Sequence, residues 1–165
     1  MIKTIKDIAK HLKCLNDKNL SYTDLKTDNI LFKCNDKKYL QTILGDLGSI
    51  CKSGESNACT WNPWEYRNEL GFPKCNESTM VWCLGIVICE LLDVGTDMFH
   101  WSEISKKDKE DIERQIDIIS LNNKLHKEYV DKNKKITCDK LFKGMLNLDP
   151  KKRISLNTII KNIQQ

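Results

Sequence analysis

No two of the eight cysteines stand as C-x-x-C, and none pairs with a histidine at zinc-like spacing. A zinc ribbon, a zinc finger and a thioredoxin-like redox motif are therefore excluded. The opening segment Met1–Lys13 is Lys-rich and amphipathic and lacks the continuous apolar core of a secretory leader. No apolar run reaches the length of a membrane span. Internal repeats and low-complexity tracts are also lacking. Charge of one sign is in only slight excess: the formal net charge is +4, and the lysines are scattered rather than striped. That distribution reads as a solvated surface and argues against a nucleic-acid partner. With no leader and several Cys inside apolar runs, the expectation is reduced thiols in an intracellular, cytoplasmic compartment, with no membrane partner.

What is present is an ordinary globular balance, 40% apolar and 30% charged over 165 residues. That is enough for one domain with a single core. Ile2, Ile5, Ile8, Leu12 and Leu15 recur at three and four residues, which predicts a helix to about Asn16. Asn16–Asn19 is turn-like. Ile30–Phe32 and Leu40–Leu44 are short apolar runs flanking Asn35-Asp36-Lys37-Lys38, a hairpin signature. Asp46–Pro63 has no period and reads as an ordered loop. Val81–Leu92 is too short to span a bilayer and too long for a typical strand, so it is expected to be a buried helix. Ile112, Ile116 and Ile119 mark an amphipathic helix, and Lys124–Lys135 an exposed connection. Leu141, Met145 and Leu148 continue helically to Asp149-Pro150, and Ser155 caps a last helix over Ile154–Ile163. The expected fold is mainly α with one small β-hairpin.

The chemistry concentrates in Asp24-Leu25-Lys26-x-x-Asn29. Phosphoryl transfer needs an acid to orient and accept a hydroxyl proton, cations on the moving phosphate, and oxygen ligands for Mg²⁺. One short loop supplies all three, anchored by the strand that follows. Gly45-Asp46-Leu47-Gly48 adds a carboxylate on a flexible turn, a suitable hard-cation ligand. Asp-Leu-Gly alone is an ordinary turn. The Asp-Leu-Lys-x-x-Asn match arises by chance at roughly one in 10⁵ positions, and the two together across a hairpin are more specific than either.

On these residues the chain resembles the C-terminal lobe of protein kinases, from about Ile2 to Ile163. Tyr22-Thr23-Asp24-Leu25-Lys26-x-x-Asn29 is similar to the family's H-R-D-L-K-x-x-N catalytic loop, and Asp46-Leu47-Gly48 to D-F-G. Thr60-Trp61-Asn62-Pro63-Trp64-Glu65 resembles the end of the activation segment, where the family has A-P-E. Val81-Trp82-Cys83-Leu84-Gly85 resembles the start of helix F, and Leu148-Asp149-Pro150-x-x-Arg153 the late D-P-x-x-R motif. The resemblance implies Asp24 as catalytic base, Lys26 on the γ-phosphate, Asn29 and Asp46 as Mg²⁺ and ATP ligands, and a structural ion pair between Glu65 and Arg153. Lys26 two residues after the Asp is the Ser/Thr form. The style of these segments is most similar to kinases of large DNA viruses, which implies a virus-encoded protein working in host cytoplasm.

The sequence departs from the pattern at three places. Tyr22-Thr23 replaces His-Arg, and the missing Arg is the family's clasp for a phosphate on the activation segment, so phosphate-driven activation is not expected. Met80 replaces the Asp that opens helix F and bonds the catalytic loop, so another group must hold that loop. Finally, the 165 residues contain no G-x-G-x-x-G, no V-A-I-K Lys and no helix-C Glu. The implied unit, residues 1–165, runs from helix E to helix I with the N-lobe absent, offering half a nucleotide site and weak or absent binding of ATP and Mg²⁺ by itself.

Two functional readings follow. One is a Ser/Thr protein kinase domain acting on a protein substrate with an N-lobe supplied elsewhere. The other is a catalytically inactive decoy that docks on a partner kinase through the uncovered face of the lobe. A product with no selected role stands as a third. His11, His100 and His126 read as packing or surface, Trp82 as core, and Trp61 and Trp64 as either core or peptide-facing. Ser49, Ser53, Ser56 and Thr60 are candidate phosphorylation sites.

Overall fold

A computed structural model describes residues 2–35, 39–67, 71–92, 99, 107–122 and 138–163. His100, Trp101, His126 and the Lys124–Lys135 connection lie outside these residues, as does the tip of the hairpin at 36–38.

The first helix, α1 (Ile2–Asn16), turns Ile5, Ile8 and Leu12 fully inward, as the three-and-four spacing requires. Asn19 then takes a left-handed φ of 57°, tolerable for a short polar side chain, and the chain reverses into β1 (Leu20–Tyr22). A 3₁₀ turn over Thr27–Asn29 leads into β2 (Ile30–Asn35), which pairs antiparallel with β3 (Tyr39–Leu44) in the register Ile30↔Leu44 to Asn35↔Tyr39. The hairpin is thus present and longer than its apolar runs suggest.

The aperiodic stretch after Asp46 holds a strand that hydrophobic pattern does not reveal. β4 (Ile50–Lys52) pairs antiparallel with β1 through Leu20↔Lys52, Ser21↔Cys51 and Tyr22↔Ile50. Three-residue strands are too short to develop a period, so pairing is decided by tertiary proximity.

α2 (Glu77–Leu92) begins four residues before the apolar run, with Asn76 Oδ1 accepting the Thr79 N–H at 2.8 Å. Met80 through Cys89 are all buried, and Trp82 stands edge-on to Phe99 with ring centroids 6.0 Å apart. Around it pack α1, α3 (Lys109–Asn122), α4 (Cys138–Met145) and α5 (Leu156–Asn162). Ile112, Ile116 and Ile119 face inward on α3. The expected helix up to Pro150 ends instead at Met145; Leu146 and Leu148 are buried from a turn. The reason is local: the Gly144 carbonyl accepts the Ile154 N–H at 3.0 Å, folding 146–153 back on the helix end. Ser155 caps α5, its Oγ accepting the Thr158 N–H at 3.2 Å.

The expectation of reduced thiols throughout is corrected by one pair. Cys51 and Cys75 form a disulfide with Cα atoms 6.2 Å apart. They are 24 residues apart in sequence, and only the β1–β4 pairing and a bridge between Ser56 and Lys74 bring them into reach. Cys83 and Cys89 are buried thiols, as expected of Cys in apolar runs, and burial pushes Cys89 up to about 12. Among the described residues, no helix is long and apolar enough to cross a membrane, and no group of three or more His, Cys, Asp or Glu is placed to hold a metal ion.

Candidate active site

The β1 strand delivers the loop that carries Asp24. Leu25 is fully buried and anchors it, while Asp24 and Lys26 on either side are only partly covered. The 3₁₀ turn Thr27–Asn29 then folds back, so that Asn29 Nδ2 donates to the Asp24 carbonyl at 2.8 Å and to Asp24 Oδ2 at 3.0 Å. Lys26 Nζ lies 3.0 Å from the same Oδ2. Spacing alone therefore brought Asp24, Lys26 and Asn29 together, because a tight turn closes over six residues.

The remaining carboxylate oxygen, Oδ1, accepts a hydrogen bond from the Thr60 hydroxyl. Thr60 lies 36 residues away, and its hydroxyl is engaged by a carboxylate. No spacing in the sequence signals this contact. Burial works against ionising Asp24, but the bonds from Thr60, Lys26 and Asn29 and the Lys26 charge prevail and hold its carboxyl below the usual range. The Asp24 carboxylate raises Lys26 in return, chiefly through the same bond.

Asp46 sits where β3 ends. Gly45 N–H donates to the Asn29 carbonyl at 2.7 Å, which fixes the next residue beside the Asn29 turn. Asp46 is exposed and left-handed, with φ 44°, a conformation uncommon outside Gly but accessible to Asp. The 3₁₀ turn Leu47–Ser49 follows. Asn29 and Asp46 are oxygen donors of the hard type Mg²⁺ takes. With the Asn29 amide nitrogen committed to Asp24, its carbonyl oxygen is the atom suited to a cation. Mg²⁺ needs few protein ligands when phosphate and water supply the rest, so this donor set fits it.

The family's missing loop-holding groups have visible substitutes. Tyr22 N–H points at Met80 Sδ, 3.3 Å away, so the thioether takes the place of a carboxylate as acceptor. The Tyr22 hydroxyl donates to the Gly45 carbonyl at 2.8 Å, tying the Asp24 loop to the Asp46 turn. Burial, together with the Asp24 and Asp46 charges, pushes the Tyr22 phenol up to about 12, so it remains a donor at neutral pH. Thr23, fully buried, donates to the Ala58 carbonyl at 2.8 Å. Nothing in the spacing of these residues foretold such contacts.

Glu65 and Arg153 are brought together across 88 residues in a two-pronged ion pair of 2.9 and 2.8 Å. The guanidinium also donates to the Asn147 and Ser78 carbonyls and lies 5.0 Å above the Trp82 ring. Trp61 and Trp64, whose role was open, are both buried, and Arg67 stacks on Trp64 at 3.7 Å. His11 Nε2 bonds the Thr42 carbonyl at 2.9 Å, a packing contact. Leu31, Ile43 and Leu47 are exposed beside the Asp46 turn, with Leu31 and Ile43 paired across the hairpin.

Comparison with known proteins shows the family. The serine/threonine-protein kinase sgk-1 of Caenorhabditis elegans is 30% identical over 164 residues, covering 96% of this chain and 32% of that protein. The chain thus spans about a third of the length of the relative it matches. The protein kinase domain family model matches residues 1–163, and the chain belongs to that family.

Proposed function

We propose that residues 1–165 form the catalytic-loop side of a Ser/Thr protein kinase site that transfers the γ-phosphoryl of Mg-ATP to a protein hydroxyl. The observation that carries this reading is the convergence of Thr60, Lys26 and Asn29 on the Asp24 carboxylate. An acceptor of a hydroxyl proton must be ionised and aimed. The lowered pKa of Asp24 keeps it ionised at neutral pH, and three fixed donors aim it. Lys26 is within reach of Asp24 and partly exposed, so its ammonium can turn to an incoming phosphate while remaining near the base. Asn29 and Asp46 would hold Mg²⁺, which when bound draws charge from the phosphate oxygens. The adenine and the upper side of the phosphates would be covered by an N-lobe, from the same polypeptide or another chain. The exposed Leu31, Ile43 and Leu47 are the apolar surface such a lobe would cover.

The test is phosphoryl transfer from radiolabelled ATP to a mixed protein substrate, with residues 1–165 joined to a nucleotide-covering lobe. Asp24→Asn is expected to lower kcat on the order of 10²–10⁴-fold. Full activity in that variant overturns the assignment.

A second reading keeps the fold and drops the chemistry: a decoy that binds another kinase through the same exposed apolar residues. Thr23 and Met80, which replace charged family groups, favour it. It predicts that Mg-ATP leaves the melting temperature unchanged and that Leu31→Glu abolishes kinase binding.

A further inference from the structure

The activation segment is fastened at both edges, and by neutral groups. On one edge the fastening is backbone and covalent: the Cys51–Cys75 disulfide, the Ser56–Lys74 bridge, Gly54 N–H to the Cys75 carbonyl at 2.8 Å, Cys75 N–H to the Glu55 carbonyl at 2.8 Å, and Asn57 N–H to the Pro73 carbonyl at 3.2 Å. On the other edge it is made by two side chains. The Thr23 hydroxyl has one proton to give. The Ala58 carbonyl at 2.8 Å is its proper acceptor, and the Ser49 carbonyl at 3.4 Å is too far for a good bond. Asn57 supplies what Thr23 cannot. Its amide Nδ2 reaches the Ser49 carbonyl at 3.1 Å and the Thr23 oxygen at 3.3 Å, while its Oδ1 accepts the Ala58 N–H at 3.0 Å. One amide and one hydroxyl thus join the catalytic loop, the turn after Asp46 and the segment at 57–58.

Three residues beyond Asn57 stands Thr60, whose hydroxyl rests on Asp24. Three residues of chain reach at most about 10 Å, so fixing 57 and 58 keeps Thr60 in the neighbourhood of Asp24. We propose that Asn57 and Thr23 are positioning residues that seat Thr60 on Asp24 and do so without any phosphate group. The inference deepens the reading of Asp24 as the base and takes its importance from it. A buried neutral threonine cannot pair a phosphate, and a phosphate on Thr60 would face the Asp24 carboxylate, a like charge.

The test uses the full 165-residue chain, verified unphosphorylated by mass, and reads the Thr60 methyl signal by NMR, with Asp24→Asn marking a weakened contact. Thr23→Val is near-isosteric and removes only the hydroxyl; Thr23→Ser keeps it. Expected is a Thr60 signal displaced in Thr23→Val and Asn57→Ala and retained in Thr23→Ser. In the lobe-completed enzyme the first two should lower kcat roughly tenfold with the KM for ATP unchanged, as slight misplacement of a catalytic group does. Should Asn57→Ala not fold, Asn57→Asp, which keeps the Oδ1 acceptor and loses both donors, takes its place. A wild-type Thr60 signal in Thr23→Val and in the Asn57 variant overturns the proposal. A displaced Thr60 signal in a chain that transfers no phosphate supports positioning while the kinase reading fails, so the two are separable.

Discussion

Glu65→Gln offers the sharpest energetic test. Arg153 has no exposed side-chain surface, whereas Glu65 keeps 18% of its own. Neutralising Glu65 leaves the guanidinium buried with its two carbonyl acceptors, Asn147 and Ser78, and no countercharge. An uncompensated buried charge costs about 3–5 kcal/mol. A domain of this size holds about 5–15 kcal/mol in total, so the loss is a large share of it. In thermal terms it corresponds to about 6–20 °C. Urea unfolding followed by Trp fluorescence reads it directly, because Trp82 lies under the guanidinium and Trp64 beside Glu65. Arg153→Met should also destabilise, since it strands the Ser78 and Asn147 carbonyls. The pair Glu65→Gln/Arg153→Met should cost less than the sum of the two, as both partners of one interaction are then gone. A Glu65→Gln loss below about 1 kcal/mol, the range of an exposed pair, would refute the argument that the charge is desolvated.

Reducing the Cys51–Cys75 disulfide, or replacing both by Ser, reopens a loop of 24-residue separation and should lower stability by about 3.5 kcal/mol, read as an earlier urea midpoint; an unchanged midpoint would mean the pair is not bonded in solution. Gly85→Ala gains about 1 kcal/mol of helix propensity but brings a Cβ to 2.7 Å from Leu146 Cδ2 and 3.2 Å from Met145 Cβ in a sealed core; the overpacking, about 1–3 kcal/mol, should win, and a stabilised variant in calorimetry would contradict that. Because Asp24 titrates below an ordinary carboxylate, the unfolded chain binds the proton first as acidity rises. The stability Asp24 contributes is complete above the ordinary Asp value near about pH 4 and is lost as pH falls through its lower folded value. Thr60→Val should shrink that acid-dependent part in urea titrations, and an unaltered pH profile would count against the bond.

Much was legible in the linear chain where the physics is local. The helix of Ile5, Ile8 and Leu12 follows from periodicity, the buried α2 from a continuous apolar run, and the α5 cap from Ser155. The cluster of Asp24, Lys26 and Asn29 needed only one tight turn. α4 ends before Leu148 because that residue is apolar for the core and not for the helix, a distinction periodicity cannot make. The disulfide is hidden from the sequence for a kindred reason: the Cys51–Cys75 pairing depends on two strands of three residues, whose pairing has no signature of its own.

By itself the sequence determined the family, through motifs whose chemistry demands particular side chains at short spacing, and most of the helices. Tertiary structure alone decided what holds those motifs in place. Met80 sulfur under Tyr22, Thr23 on the Ala58 carbonyl, Asn57 on the Ser49 carbonyl, Thr60 on Asp24, and the disulfide at the far edge join residues 8 to 58 positions apart. The Thr23 and Asn57 bonds depend on where backbone carbonyls arrive after folding, and a carbonyl has no letter in the sequence.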